Sequence, residues 1–337
     1  MEEYLPQCLN SLVIDNKELF QKLDVIVVND GSPDRTSEIA HEFNLKYPSV
    51  FRVIDKGNGH YGSCVNVGIR AATGKYVKIL DADDSFDTRI LEGFVHFLGT
   101  HDLDVCFTDA VSVTASGTET ERMTCGYPRD IPFGLREIAE CSQDISMHRV
   151  AYRLELLREM GYRQLEGVSY TDTQWCFLPM ASINNAFYLP IQLYRYLSDR
   201  DGQSTSTREW VKNQWMQQAV LADLIRQYHT VAGTVSQEGD CYLKRQLEFR
   251  AKHLYDRFVF DVPLLSARRY FVSLEEELKE TLPELYERVG EWKLSRRFGF
   301  RYLRYARRSG VFCPSIFLLL RAYSFLCHIR IENPCKR

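Results

Sequence analysis

The chain has 337 residues, of which 45% are hydrophobic and 26% charged, a composition typical of a water-soluble protein with a sizeable core. The formal net charge of −3 gives no electrostatic reason to expect a nucleic acid partner. The 10 cysteines are scattered without Cys-x-x-Cys spacing, so we expect reduced thiols rather than a zinc site. No segment has the roughly 18 uncharged apolar residues of a spanning helix, and the N-terminus lacks a signal-peptide pattern. We therefore expect a cytoplasmic protein.

The first third of the chain alternates strand-like and helix-like segments. Strand-like runs lie at 23–28, 51–54, 76–80 and 104–113, and helix-like spacing lies at 34–43 and 65–72. Continuous apolar and β-branched runs suit strands that are covered on both faces, as in parallel sheets. The second helix is expected to end at Gly74 in a left-handed cap. This alternation predicts a right-handed, doubly wound sheet.

The later part of the chain changes character twice. The pattern weakens over 114–170, which is consistent with excursions that shape an acceptor pocket. A helix is predicted to begin at Asp172, and a strand is predicted over 187–197. Beyond that strand almost all of the chain has helical spacing. We therefore predict one domain over 1–205 and a helical region over 206–337.

The N-terminus departs from the order expected of such a sheet. Residues 2–12 have the pattern of its first helix, but no strand precedes them. A central strand is therefore expected to be missing from this sequence. A start site placed downstream of the true one, or a truncation, would account for it.

An acidic cluster, Asp81-Ala82-Asp83-Asp84, directly follows the strand predicted at 76–80. Open α/β sheets bind ligands outside the carboxyl ends of their strands. Carboxylates separated by one residue can bind the same hard divalent cation. Phosphate oxygens and water then complete the coordination shell of that cation. Read alone, so short a motif is equally well a solvated turn that caps the next helix. Its place at a strand end favours a metal site.

Two other chemistries use similar motifs. Aspartyl phosphatases also place D-x-D at a strand end, but Asp84-Ser85 after Asp83 fits their pattern poorly, and no P-loop of the G-x-x-x-x-G-K form occurs. The segment 57–62 matches G-x-G-x-x-G. It follows Asp55-Lys56, however, and no isolated acidic residue stands about 20 residues later, as a dinucleotide fold requires. A metal-dependent phosphatase therefore stays a weaker alternative.

Three segments together resemble the family 2 inverting glycosyltransferases. They are 27–36, 58–76 and 80–84, and their order and spacing are more specific than any single motif. The resemblance implies an α/β protein of GT-A type, with a doubly wound, mostly parallel sheet flanked by helices and a helical C-terminal extension. It also implies transfer of a hexosyl or N-acetylhexosaminyl group from a nucleoside-diphosphate sugar to a glycan or lipid-linked acceptor in surface polysaccharide assembly.

The resemblance also assigns roles to residues of this sequence. Asp83 matches the ligand of a Mg²⁺ or Mn²⁺ ion, and Asp30 falls where a carboxylate binds the base or ribose. His60 lies in the loop that meets the diphosphate, although a solvated loop residue is equally compatible with its position. A structural role explains Asn66 as well as a ligand-binding role does. The donor-binding residues implied are Asp30, Gly31, Ser32, His60, Asn66, Asp81, Ala82 and Asp84.

Asp172 is the base implied for the acceptor hydroxyl. It stands in a segment similar to the one in which family members begin a helix with an acidic pair, although this chain has Thr171-Asp172 in place of Glu-Asp. A helix N-terminus favours the ionised carboxylate that accepts a proton. Capping of that helix is the alternative role. Arg200, within 199–204, either closes over the diphosphate or lies in a solvated turn.

Three departures from the family pattern limit the resemblance. The first strand is absent, which leaves a catalytically defective sugar-nucleotide-binding protein as an alternative. Cys64-Val65-Asn66 stands where many relatives have Ala-Arg-Asn, so a frequent cationic contact is missing. No Gln-x-x-Arg-Trp occurs, which predicts a non-processive enzyme.

Basic residues accumulate near the C-terminus among aromatic ones. The cations are Lys293, Arg296, Arg297, Arg301, Arg304, Arg307 and Arg308. The apolar stretch 315–326 follows them. This pattern suits peripheral contact with an anionic membrane, and equally an amphipathic helix packed on the catalytic domain. The sequence does not define the oligomeric state.

Overall fold

The computed structural model describes residues 1–141, 143–198, 206–293, 301–308 and 317–322. The chain divides into two compact units near residue 201. The boundary predicted at 205 adjoins the segment 199–205, which lies outside the described residues, as does Arg200.

The first unit is an α/β structure. Its strands are β1 (Val25–Asn29), β2 (Phe51–Asp55), β3 (Tyr76–Lys78), β4 (Ser85–Phe86), β5 (Val105–Val113), β6 (Glu119–Met123), β7 (Pro132–Phe133), β8 (Val150–Arg153) and β9 (Ala186–Leu197). Its helices are α1 (Leu5–Asn10), α2 (Lys17–Phe20), α3 (Thr36–Lys46), α4 (His60–Ala71), α5 (Thr88–Thr100), α6 (Leu135–Glu140), α7 (Leu154–Glu159) and α8 (Asp172–Trp175).

The strands form a mixed arrangement rather than the mostly parallel sheet that was predicted. β1 and β2 pair in parallel, and the larger sheet has the order β3-β8-β5-β9-β4, with β6 on β5 and β7 on β9. Within the larger sheet, β5 and β9 run parallel and the other described pairs are antiparallel. The difference arises because the weakly patterned stretch 114–170 returns as β8, between β3 and β5.

Burial explains the central strand and the long helix beside it. All nine residues of β5 are buried, as expected of a strand covered on both faces. α5 begins where the Asp87 carboxylate accepts hydrogen bonds from the amides of Arg89 and Ile90. Its buried residues Leu91 and Phe94 join the core. Burial of these apolar faces holds the layers together.

The left-handed cap predicted at Gly74 is wrong. α4 ends at Ala71, and Ala72 turns the chain into an extended conformation with a ψ of 142°. The amide and hydroxyl of Thr73 then donate to the Asp24 carboxylate at 3.0 and 2.8 Å. This side-chain anchor ends the helix, and no left-handed glycine is required there.

The second unit is helical over its described residues, as predicted. Its helices are α9 (Thr207–Lys212), α10 (Gln214–Val231), α11 (Gln237–Phe260), α12 (Leu264–Thr281), α13 (Pro283–Gly290) and α14 (Tyr302–Arg308). Arg307 ties three of them together, since it donates to Glu275 at 2.7 Å and its guanidinium lies 3.5 Å from the centre of the Tyr286 ring. A buried cation held in this way stabilises the helix packing.

Three of the C-terminal basic residues, Arg301, Arg304 and Arg307, form ion pairs within the unit. Arg301 and Arg304 pair with Glu291, at 3.2 and 2.8 Å. Arg296 and Arg297 lie outside the described residues. None of the described helices is both long and apolar enough for a membrane span. Peripheral contact with an anionic membrane stays a prediction.

A partly buried histidine is expected to make the second unit sensitive to acid. His253 lies on α11, edge-on to the Trp210 ring at 6.1 Å between centroids. Burial is the larger cause, and together with the positive charges of Arg250, Arg257 and Lys252 it lowers the pKa of His253 to about 3. The unfolded chain therefore binds a proton at this residue at a higher pH than the folded chain does.

We predict that His253→Gln reduces the acid sensitivity of the protein. Because the folded pKa lies below the unfolded value of about 6.5, the stability from neutral His253 is complete above pH 6.5. It is lost at about 1.4 kcal/mol per pH unit as the pH falls toward 3. Urea unfolding at pH 7.5 and 5.5 should show that the variant loses about 1.4 kcal/mol less than the wild type between these values. Equal losses would contradict the prediction.

Candidate active site

Polar residues collect where β1, β2 and β3 end. Asp30 follows β1, Lys56 follows β2, and the acidic turn, defined as 81–84, comes shortly after β3. Because β1 and β2 are parallel, their carboxyl ends lie at one edge. There the side-chain amide of Asn29 donates to the Asp55 carboxylate at 2.8 Å. This is the edge at which open α/β sheets bind ligands.

Asp30 is held as a carboxylate by the loop that precedes α4. Its Oδ1 accepts hydrogen bonds from the Lys56 ammonium and, at 2.9 Å, from the Gly59 amide. Partial burial opposes ionisation, but these donors outweigh it and lower the pKa of Asp30. The Lys56 ammonium also donates to the Ser63 hydroxyl at 2.8 Å. Asp30 is thus tied to the first turn of α4.

The two residues after Asp30 form a tight turn. Gly31 has a φ of 71°, in the left-handed region that favours glycine. A Cβ at this position would lie 3.2 Å from the Asn58 nitrogen. The Ser32 amide donates to the Asn29 side chain at 3.1 Å. The turn therefore brings the backbone after β1 against the loop that begins α4.

The segment 164–172 packs against the beginning of α4. The Gly167 amide donates to the Gly59 carbonyl at 3.0 Å. His60 has a left-handed φ of 64°, and its Nδ1 lies 3.2 Å from the Ser169 hydroxyl. A strained non-glycine residue at this place is consistent with a functional loop. The imidazole of His60 thus joins two loops of the site.

Asn66 anchors the same segment. Its amide nitrogen donates to the Gln164 carbonyl at 2.9 Å and to the Glu166 carboxylate at 2.8 Å, and its oxygen accepts from the Gln164 amide at 2.8 Å. The side chain is buried. Through these three hydrogen bonds Asn66 holds the segment 164–172 against α4.

The acidic turn lies beside a histidine that the sequence analysis did not single out. Ligand atoms of Asp81, Asp84 and His148 all lie within 4.8 Å of one another. The His148 Nε2 is 3.8 Å from the Asp81 Oδ2, and the Tyr61 hydroxyl donates to the Asp81 Oδ1 at 2.9 Å. Asp83, the predicted metal ligand, is not part of this group.

Asp84 is the most buried member of the turn. Its Oδ2 accepts from the Tyr194 hydroxyl at 2.6 Å, and its Oδ1 accepts from the Leu197 amide at 2.7 Å. Burial raises the pKa of Asp84 to about 7, and the charge of Asp81 adds to this effect. Ala82 packs on the core beneath, while the Asp84 amide donates to the Asp81 carbonyl at 3.0 Å and closes the turn.

The group fits a divalent cation. A positive ion between Asp81 and Asp84 would stabilise the ionised form of Asp84, which burial and the charge of Asp81 oppose. Carboxylate oxygens are the ligands that Mg²⁺ and Mn²⁺ prefer, and imidazole binds several divalent metals. The buried Nδ1 of His148 has no hydrogen-bond partner among the described residues. Oxygen and nitrogen donors on Asp81, Asp84 and His148 could therefore hold the ion.

Asp172 is the first residue of α8, as predicted, although that helix has only four residues. The residue before it, Thr171, is buried and donates to the Gln164 side chain at 2.9 Å. Burial, followed by the charges of Asp81 and Asp172, raises the pKa of Tyr61 well above its ordinary value. The charge of Asp172 therefore affects the hydroxyl of Tyr61, which is the group that donates to Asp81 in the acidic turn.

The architecture is that of the GT-A nucleotide-sugar transferases, as predicted. It matches the crystal structure of Staphylococcus aureus TarS 1–349 in complex with UDP-GlcNAc with a TM-score of 0.66 and 18% identity, over 97% of this chain and 89% of that chain. By sequence, the poly(ribitol-phosphate) beta-N-acetylglucosaminyltransferase TarS of that organism is 26% identical over 209 residues, which cover 61% of this chain and 35% of that protein.

Residues 2–161 match the family model for glycosyl transferase family 2. The uncharacterized glycosyltransferase MG025 of Mycoplasma genitalium is 28% identical over 214 residues, which cover 61% of this chain and 67% of that protein. The uncharacterized glycosyltransferase YibD of Escherichia coli is 29% identical over 216 residues, which cover 61% of each chain. Residues 2–161 therefore form a glycosyltransferase domain of family 2, as predicted.

We predict that Gly62→Ala destabilises the protein by about 1–3 kcal/mol. The added Cβ would lie 2.1 Å from the Leu165 carbonyl oxygen, within the segment 164–172. Gly68→Ala on the same helix is the matched control, because a Cβ there meets no neighbouring element within 4 Å. It should be neutral or stabilise by up to about 1 kcal/mol. Urea unfolding compares the two, and equal effects would contradict the close packing of α4 on this segment.

Proposed function

We propose that the protein transfers a sugar from a nucleoside-diphosphate sugar to a hydroxyl group of a glycan or lipid-linked acceptor, with inversion and one sugar per acceptor visit. The observation that carries this proposal is the convergence of Asp30, the acidic turn and Asp172 around the first turn of α4. Surface polysaccharide assembly is the proposed context. The membership in glycosyl transferase family 2 supports the reaction class.

The donor would lie along the edge formed by β1, β2 and α4. Asp30, held ionised by Lys56 and Gly59, would accept hydrogen bonds from the base or the ribose hydroxyls. The N-terminus of α4, a helix of 12 residues, directs amides and a positive dipole end toward the diphosphate. His60, at that N-terminus, would donate to a phosphate oxygen.

The acidic turn would hold the cation. Asp81, Asp84 and His148 supply the donor atoms in this proposal, and Asp83 is the further ligand implied by the resemblance. When bound, a Mg²⁺ or Mn²⁺ ion would offset the charge that develops on the leaving diphosphate. Tyr61 keeps the Asp81 carboxylate oriented through its hydroxyl.

Asp172 is the proposed base. It would accept the proton of the acceptor hydroxyl while that oxygen forms a bond to the anomeric carbon of the donor. The bond from this carbon to the diphosphate breaks on the opposite face, so the configuration inverts. The contacts of Thr171 and Asn66 with Gln164 fix the segment that carries the base.

Metal dependence separates the proposal from its two alternatives. With UDP-GlcNAc as the first donor probe, we expect Mn²⁺ or Mg²⁺ to stimulate UDP release and EDTA to abolish it. Donor binding without turnover under every metal condition would instead indicate a catalytically defective sugar-nucleotide-binding protein. Phosphate release from simple phosphomonoesters would indicate a phosphatase.

We predict that His148→Gln and Asp83→Asn distinguish the ligands of the cation. Replacing a direct ligand should weaken Mn²⁺ binding by about 100-fold or more, because loss of a residue that only hydrogen-bonds a metal ligand already costs about 10–100-fold. Mn²⁺ titration by electron paramagnetic resonance measures this without turnover. Unchanged affinity in His148→Gln would remove His148 from the site, and unchanged affinity in Asp83→Asn would remove Asp83.

We predict that Asp172→Asn lowers kcat by about 10²–10⁴-fold, the usual contribution of a general base. Donor affinity should stay within about twofold, because Asp172 would face the acceptor. Glu159→Gln, an exposed carboxylate on α7, is the control and should behave as the wild type. Wild-type turnover in Asp172→Asn, with donor binding retained, would contradict the assignment.

A further inference from the structure

We infer that Tyr194 is a positioning residue that sets the geometry of the metal-binding acidic turn, an inference that rests on the proposed function. Tyr194 lies on β9 and its side chain is fully buried. Its hydroxyl donates to the Asp84 Oδ2 at 2.6 Å and accepts from the Asp81 amide at 3.2 Å. One phenol thus joins the first and last residues of the turn, using both its donor and an acceptor lone pair.

The ring of Tyr194 contacts the third member of the same group. Its centroid lies 4.7 Å from that of His148, and the two planes are inclined by 59°. On the other side, the Phe86 ring meets it edge-on at 5.7 Å. Because one side chain touches Asp81, Asp84 and His148, its position helps determine the distances among all three potential ligands.

Loss of the hydroxyl alone would loosen the turn. The Asp84 carboxylate would keep the Leu197 amide on Oδ1, but Oδ2 would lose its donor and the group could rotate. The Asp81 amide would lose its acceptor as well. Residues that hydrogen-bond metal ligands commonly change metal affinity by about 10–100-fold when they are replaced. We therefore expect an effect on metal binding in addition to the loss of stability that removal of such a buried hydrogen bond causes.

Tyr188 provides a matched control on the same strand. It is also fully buried, and its hydroxyl donates to the Asp109 Oδ1 at 2.6 Å, the same distance as in the pair of Tyr194 and Asp84. Asp109 is likewise buried and accepts from the Cys125 amide. Both Tyr→Phe substitutions remove a buried hydrogen bond of 2.6 Å to a carboxylate, but only the one at 194 affects the acidic turn, where it also removes the acceptor of the Asp81 amide.

The test compares Mn²⁺ binding to the full chain with Tyr194→Phe and Tyr188→Phe. We expect Tyr194→Phe to raise the Kd for Mn²⁺ by about tenfold or more, and to raise the KM for Mn²⁺ more than it lowers kcat at saturating metal. Tyr188→Phe should leave both within about twofold of the wild type. Each variant keeps its ring, and circular dichroism with thermal melting would establish that the loss of stability is similar in the two.

The possible outcomes distinguish a failure of this inference from a failure of the proposed function. A wild type that binds no Mn²⁺ would overturn the proposed metal site and the role of Tyr194 together. Wild-type binding that Tyr194→Phe leaves unchanged would overturn only the inference. A similar loss of affinity in Tyr188→Phe would also overturn it, since the effect would then follow from general destabilisation.

Discussion

The candidate site depends on the antiparallel pairing of β3 with β8. Lys78 pairs with Ala151 at the end of β3 from which the chain continues to Asp81, and the short helical turn 147–149 that carries His148 leads into β8 at the same end. The buried Lys78 ammonium reinforces the same alignment, since it donates to the His148 carbonyl at 2.8 Å. Because a register shift of one residue would turn each side chain to the other face, the meeting of carboxylate and imidazole is a direct consequence of strand pairing.

A second constraint comes from α4, which contacts the two halves of the site on opposite sides. One half contains Asp30 and Lys56, and the other is the segment 164–172. Toward β1 and β2, its first turn meets the pair of Asp30 and Lys56. Toward the segment 164–172, Gly62 leaves room for the Leu165 carbonyl, and Asn66 hydrogen-bonds Gln164. A single helix therefore sets the distance between Asp30 and the segment that carries Asp172. Such support by a rigid element is what precise catalytic geometry requires.

The sequence predicted the features that are local and missed those that depend on distant pairing. The turn after β1 and the acidic turn were recognisable because each lies at or shortly after the end of a strand that the sequence predicts. His148 and Tyr194 were not, since His148 lies in a weakly patterned stretch and Tyr194 reads as one aromatic among several in a strand. The GT-A type of fold was predicted correctly, but the mixed strand directions were not, because β8 inserts between β3 and β5. Local pattern carries no information about such an insertion.

The charges around the acidic turn are arranged for an incoming cation. Two buried cations of the first unit donate to backbone carbonyls, Lys78 to His148 and Arg149 to Thr124. They fix the chain that carries His148, but they do not hold Asp84 ionised, because its pKa is raised rather than lowered. Negative charge thus accumulates at one end of the site, while the N-terminus of α4 is positive at the other. A cation and a diphosphate between them would satisfy both ends at once.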